Sequence, residues 1–313
     1  MSSPFPLFRL PQLVLCEVFK SLSVGEKIKL SFCSKKIFTQ IKNDRLYSQK
    51  VIVDLDLSNQ NIEVYSENDD KKDAFEIINC SFRSKAISKL QQYRIEEGNI
   101  PVIPYSIGIN TFWNNYPKGF LSVIRYLLKI FRCKFSVINE KDSGSLPPII
   151  SELLNLQVEF KKLTIYFNGV KDENLFNQIS NKFGLVEDLI ISSSFSPSFR
   201  PVFISWPQKI NIINSSWFPL EYLLACTSST ITVRRSPLRN EDLDEVLRKW
   251  KAGEFPNLNY LIVFGLGITI YEPILGMNLR ELAPMIIQTD DGSKKATIKL
   301  RDQGMEMSVT AFD

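Results

Sequence analysis

The 313-residue chain contains no histidine. That absence excludes Ser-His-Asp and Cys-His nucleophile systems, histidine general-base catalysis and histidine metal ligation. Its five cysteines, Cys16, Cys33, Cys80, Cys133 and Cys226, include no Cys-x-x-Cys pair. Paired thiol ligands for zinc are therefore missing, and an odd, scattered set suits a reducing compartment rather than a disulfide framework. No run of 18 apolar residues occurs, so no membrane-spanning helix is expected. No basic patch followed by an apolar core and a cleavage site opens the chain, so no signal peptide is expected. Charge of one sign is also scarce: 38 basic against 34 acidic residues leave a net +4, too little to imply nucleic acid. These absences lead to an intracellular protein, cytoplasmic or nuclear, with no catalytic residues, metal or cofactor and with neither nucleic acid nor membrane as partner.

Motifs that imitate chemistry fail on inspection. Gly265-Leu-Gly267 follows an apolar run but lacks the third glycine and the helix start of a dinucleotide loop. Asp69-Asp70 and Asp290-Asp291 are sequence neighbours whose side chains diverge, so they read as loop charges. Asn214-Ser-Ser is a formal glycosylation acceptor with no secretory signal to make it relevant. Arg234-Arg235 reads as a solvated strand end.

What is present begins with helices. Leu10-Pro11 opens the first, with proline where a missing amide hydrogen costs nothing. Leu15, Val18, Phe19 and Leu22 share one face, and Leu13 and Val14 widen that stripe. A second helix is expected from about Glu26 through Ile28, Leu30, Phe32, Cys33, Ile37 and Ile41, and a third segment closes on Leu46-Tyr47. So much apolar surface exceeds what a module of this size buries alone. The order Leu10-Pro11, Val14-Leu15, Val18-Phe19, Leu22, Leu30, Cys33, Lys35-Lys36 and Leu46-Tyr47 resembles an F-box. Two positions depart from the family pattern: Leu13 replaces an acidic residue and Ile37 a tryptophan.

Beyond residue 49 the pattern turns to strands. Residues 50–57 and 62–65 read as a hairpin around Ser58-Asn-Gln-Asn61, and Phe75–Ile78 and Tyr93–Ile95 add weak strands. Residues 50–107 are thus expected to form an antiparallel β joint. Pro117–Phe131 carries a proline start and a long apolar face, which predicts a helix. Two apolar residues separated by one then recur at Phe135/Val137, Leu163/Ile165, Leu189/Ile191, Ile210/Ile212, Ile231/Val233 and Leu261/Val263. Successive starts differ by 28, 26, 21, 21 and 30 residues, close to leucine-rich-repeat spacing. Helices are expected at 172–183, 219–225 and 240–250, the last capped by Asn240, while the Ser- and Phe-rich stretch 192–206 replaces a helix with irregular chain. Residues 285–312 read as a three-strand meander with an Asp-Gly turn, capping the last strand. The expected class is α/β, α+β overall. A three-helix F-box (1–49) precedes the β joint (50–107) and an irregular leucine-rich-repeat-like strand-helix solenoid (108–313). A compact α/β domain without repeats is the alternative.

The phrases Tyr47–Asp56, Glu187–Ser192 and Trp250–Leu261 are similar to the type-2 F-box-associated domain. Together the resemblances imply a non-catalytic adaptor: the helices would dock on the Skp adaptor and through it on cullin, and the remainder would present an unknown protein substrate for ubiquitination. A binding scaffold without a role in ubiquitin transfer is the alternative. Leu10, Pro11, Val14, Leu15, Val18, Phe19, Leu22, Leu30 and Cys33 would divide between the module's own core and the partner groove. On the substrate side, strand alternation buries Leu163, Ile165, Leu189, Ile191, Ile210, Ile212, Ile231 and Val233. It turns Thr164, Tyr166, Ile190, Ser192, Asn211, Ile213, Thr232, Arg234, Ile262 and Phe264 outward. Of these, Tyr166, Ser192, Asn211, Ile213, Arg234 and Phe264 are the expected substrate contacts, unless flanking loops cover them.

Overall fold

A computed structural model describes residues 10–44, 51–57, 59, 61–67, 73–79, 90–96, 98–105, 108–139, 146–156, 158–283 and 285–311. Two compact units divide the chain, Met1–Ile138 and Asn139–Asp313, a boundary that coincides with neither expected junction.

The first unit opens with α1 (Gln12–Ser21), α2 (Val24–Cys33) and α3 (Lys35–Asp44). Helix α2 starts two residues before the expected Glu26, because Ser23 and Glu26 form a reciprocal cap. The Glu26 amide donates to Ser23 Oγ at 3.1 Å, and the Ser23 amide donates to Glu26 Oε2 at 2.8 Å. The apolar run expected as one helix to Ile41 breaks at extended Ser34, whose Oγ accepts from the Lys36 amide at 3.1 Å. The segment expected to close on Leu46-Tyr47 lies outside the described residues.

After the helices, β1 (Val51–Asp56) and β2 (Asn61–Ser66) form the expected antiparallel hairpin. Strand β3 (Asp73–Asn79) is antiparallel to β2, yet it pairs in parallel with β6 (Gly108–Trp113). Strand β7 (Cys133–Ile138) runs parallel to β1. With β4 (Gln92–Ile95) and β5 (Gly98–Tyr105), the order within the unit is β7-β1-β2-β3-β6-β5-β4. Every pairing within residues 50–107, β1 with β2, β2 with β3 and β4 with β5, is antiparallel as expected, and the sheet becomes mixed only through β6 and β7 beyond that stretch. The helix α4 (Tyr116–Ile130) carries the chain from β6 to β7 as a crossover and returns it in the same direction, parallel to β1. Asn115 caps α4 through Lys118 N at 2.9 Å, and Phe120, Ile124, Leu127 and Ile130 of its inner face are fully buried. Gly119 lies under the Trp113 indole: a Cβ there would sit 2.4 Å from the ring.

The second unit begins with α5 (Leu146–Asn155), a helix not anticipated although Ile149, Ile150, Leu153 and Leu154 recur at helical spacing and are buried. Then β8 (Phe160–Phe167), β9 (Val186–Ser193), β10 (Lys209–Ile212), β11 (Thr230–Arg239) and β12 (Tyr260–Gly267) pair in parallel and in chain order. The recurrent apolar pairs are in register. Leu163, Leu189, Ile210, Ile231 and Leu261 form one row, and Ile165, Ile191, Ile212, Val233 and Val263 the next. All ten are at most 1% exposed, as strand alternation required.

The connections differ more from expectation. The helix expected at 172–183 is split into α6 (Glu173–Ile179) between 3-10 turns at Gly169–Asp172 and Ser180–Leu185. Between β9 and β10 the chain is irregular, as anticipated, and aromatic rings replace helical packing. Phe195, Phe199, Phe203 and Trp217 surround Phe176 of α6 at centroid distances of 5.5–5.7 Å. Trp217 Nε1 donates to Ser193 Oγ at 2.7 Å, so the cluster's one polar edge is satisfied. Helix α7 (Leu220–Ala225) precedes β11, and α8 (Asn240–Lys251) follows it with Leu243, Val246, Leu247 and Trp250 buried. Asn240 is not the cap. Asp242 Oδ2 accepts from the Arg239 amide at 2.8 Å, and Asn240 instead bridges Thr269 and Glu272 of the loop after β12.

A small hairpin, β13 (Pro273–Ile274) and β14 (Met277–Asn278), and α9 (Leu279–Leu282) come next. The meander β15 (Ile286–Gln288), β16 (Lys294–Arg301) and β17 (Gly304–Ala311) is antiparallel, and β17 pairs antiparallel with β12. No helix among the described residues is long and apolar enough to cross a membrane.

Gly119→Ala should lower unfolding free energy by about 2 kcal/mol or more through the forced shift of Trp113. Urea denaturation followed by tryptophan fluorescence measures this, and an unchanged midpoint would contradict the close contact.

Candidate functional site

Two surfaces carry the residues singled out from sequence, and each lies within one unit. In the first unit α2 and α3 pack on α4. The Phe32 ring stacks on Tyr126 at 5.1 Å and 14°, and Phe38 meets the same ring at 5.6 Å. The Ser31 and Tyr126 hydroxyls share a buried hydrogen bond of 2.8 Å. Burial raises the Tyr126 pKa and outweighs the opposing Ser31 hydrogen bond, so the phenol stays protonated. Burial likewise lowers the Lys27 pKa, against the pull of Glu26.

Helix α1 is divided. Leu15 (5% exposed) and Phe19 (2%) are buried. Leu13 is 81% and Val14 44% exposed; Pro11 and Cys33 are exposed as well, and Leu10, Val18, Leu22 and Leu30 are half-buried. The most exposed apolar side chain of α1, Leu13, was absent from the expected contacts. Its signal was the stripe broader than one buried face needs.

In the second unit the helices and the aromatic cluster cover the sheet face that holds the buried rows. The opposite face carries the alternate residues. One row runs Thr164, Ile190, Asn211, Thr232, Ile262 and Glu306, in register from β8 to β12 and on to β17. One step toward the strands' C-terminal ends lie Tyr166 beside Ser192, then Ile213, Arg234 and Phe264. Tyr166, Ser192, Asn211 and Phe264 are half-buried, while Ile213 and Arg234 are exposed. Thr232 is the correction on this face. Set between Asn211 and Ile262, it is buried.

Strand β11 is bulged, with register shifts between Val233 and Ser236 and again before Arg239. The bulge turns the consecutive residues Arg234 and Arg235 outward and leaves Arg235 in the left-handed region at φ 54°. Gly265 accommodates it: a Cβ would lie 2.8 Å from the Ser236 carbonyl and 3.0 Å from that of Leu238. The glycines of Gly265-Leu-Gly267 thus serve backbone packing. The Arg234 guanidinium lies 5.3 Å from the Phe264 ring centroid, and Arg235 donates to Asn214 Oδ1 at 3.0 Å.

At the β17 end of the face Glu306 is buried beneath two cations. Arg301 donates to it through Nε at 2.7 Å and through its terminal nitrogen, and Lys299 Nζ lies 3.7 Å away. Burial pushes the Glu306 pKa up, but hydrogen bonds from Arg301 and Tyr260 and the charges of Arg301 and Lys299 hold it below the ordinary carboxylate value. Asp290 and Asp291 are loop charges, as read. Asp291 accepts from the Ser293 amide and hydroxyl, and hydrogen bonds led by Thr289 lower its pKa to about 2.

Comparison with known families places two matches on this geometry. Residues 7–49 match the F-box domain, and residues 198–263 match the family described as F-box associated. The chain carries an F-box and an F-box-associated domain. The described part of the F-box is α1–α3, and the F-box-associated match runs from the aromatic linker into β12. That second match contains Ile213 and Arg234, while Tyr166, Ser192 and Phe264 of the same sheet row lie outside it. Neither the curated proteins nor the solved structures compared with the chain gave a match.

A carboxyl whose folded pKa is depressed contributes stability above its unfolded pKa, about 4.3, and loses it as pH falls through the folded value. Glu306→Gln should therefore cost about 1–3 kcal/mol at pH 7. Thermal melts should show that difference shrinking below pH 4; a constant difference would refute the ion-pair account.

Proposed function

We propose that the chain is a non-catalytic substrate-recognition adaptor of a Skp–cullin–F-box ubiquitin ligase. One observation carries this reading: the F-box segment retains exposed apolar side chains, Leu13 and Val14, on a helix whose other face is already used in its own core. Solvent-facing aliphatic side chains on an otherwise packed helix suit a partner groove. Pro11, Leu10, Val18, Leu22, Leu30 and Cys33 border or extend that contact, and Leu15 and Phe19 support it from beneath. The departure at Leu13, aliphatic where the family pattern is acidic, adds to the apolar contact instead of a charged one.

The target would lie on the open sheet face of the second unit, over Tyr166, Ser192, Asn211, Ile213, Arg234 and Phe264. In-order parallel strands, with two successive 21-residue steps between the apolar pairs, support an irregular leucine-rich-repeat-like solenoid there. In this reading residues 1–49 dock, 50–107 join and 108–313 recognise. Among the described residues Cys33, Cys133 and Cys226 are in no disulfide, which suits intracellular residence, cytoplasmic or nuclear.

Co-expression with the Skp adaptor tests the first contact. Leu13→Asp with Val14→Asp, and separately Leu10→Ala with Pro11→Ala, should abolish co-purification while circular dichroism stays native. Retained co-purification would refute it. Charge substitutions Tyr166→Asp and Ile213→Asp should eliminate target capture from cells without affecting adaptor binding or melting temperature. Unfolding instead would make these residues core.

A further inference from the structure

The open face ends in a charge arrangement that specifies more than a generic protein contact. Arg234, Arg235 and Arg239 are all exposed, and no described carboxylate lies within ion-pair distance of their guanidinium groups. Nearby acids are already engaged. Glu306 holds Arg301 and Lys299, and Asp242 caps the Arg239 amide. Arg234 lies against the Phe264 ring. A guanidinium held over a ring face by this cation–π contact keeps N–H groups for bidentate pairing with a carboxylate. Arg235 is fixed by a second device, the bulge and the Asn214 hydrogen bond. A non-glycine residue in the left-handed region is strained, and such strain clusters at binding sites. Across the same row lie the amphipathic Tyr166 and apolar Ile213 on one side of Arg234 and Phe264 on the other, so in this strip the cations sit beside apolar side chains.

We infer that this strip binds an extended acidic peptide segment of the target, with Asp or Glu carboxylates on Arg234 and Arg235 and an apolar side chain over Ile213. The inference rests on the reading that the sheet face captures a protein target, and it names that target's chemistry. Five strands spaced about 4.8 Å apart make the strip about 19 Å wide. At 3.3–3.6 Å per extended residue, that is roughly six residues.

The test selects a random heptapeptide display library on the full chain co-purified with the Skp adaptor. Recovered peptides should be enriched in Asp and Glu with one aliphatic or aromatic residue. Their synthetic fluorescein-labelled forms should bind at least tenfold more weakly to Arg234→Glu/Arg235→Glu. Arg234→Lys, which keeps charge but loses the two-pronged donor fork, should weaken binding several-fold. Should the double reversal lower the melting temperature, Arg234→Gln/Arg235→Gln carries the same tenfold expectation. A selection without acidic enrichment, binding indifferent to these substitutions, or equal displacement by a single-stranded RNA oligonucleotide would overturn the inference. None of those results touches adaptor co-purification, whose loss would count against the F-box reading alone.

Discussion

The second unit depends on burial of two in-register aliphatic rows between a parallel sheet and its helices. Each strand from β8 to β12 contributes one residue to each row, and each of the ten is essentially inaccessible. Burying a side chain of this size stabilises by about 1.5–3 kcal/mol, so the rows outweigh any single surface interaction in the unit. Because side chains alternate at period two, fixing these residues inward fixes their neighbours outward. The open face is a consequence of the core, and its composition is free to serve recognition.

The F-box helices obey the same logic with a different outcome. Aromatic contacts on Tyr126 and the Ser31 hydroxyl absorb α2 and α3 into the first unit. Leu15 and Phe19 anchor α1, whereas Leu13 is 81% and Val14 44% exposed. The outer side of α1 thus sets two exposed aliphatic side chains beside the charged Glu17 and Lys20. Burial, more than the motif, separates the core residues of α1 from its exposed ones.

The legible parts were those governed by periodicity. The apolar-x-apolar pairs located the strands and their inward residues, and the Asp-Gly turn located the β16 end of the meander. Less legible were features set by local bonding or by distant partners. The Ser23–Glu26 cap moved the start of α2, and Asn240 was drawn from capping to the Thr269–Glu272 loop. Helix α5 was not expected, although Ile149-Ile150 and Leu153-Leu154 recur at helical spacing. Parallel pairing of β3 with β6 joins residues over thirty positions apart, which no local pattern encodes. At the site, alternation placed the outward residues correctly apart from Thr232. The bulge that exposes both Arg234 and Arg235 has no period and was missed.

Hydroxyl-radical footprinting of the full chain, free and bound to the Skp adaptor, addresses the central claim most directly. Leu13 and Val14 should be oxidised rapidly in the free chain and strongly protected in the complex, while Tyr166, Ile213 and Phe264 react equally in both. Slow oxidation of Leu13 in the free chain, or no protection on binding, would mean that the helix has no open apolar face to offer, and the account would fail.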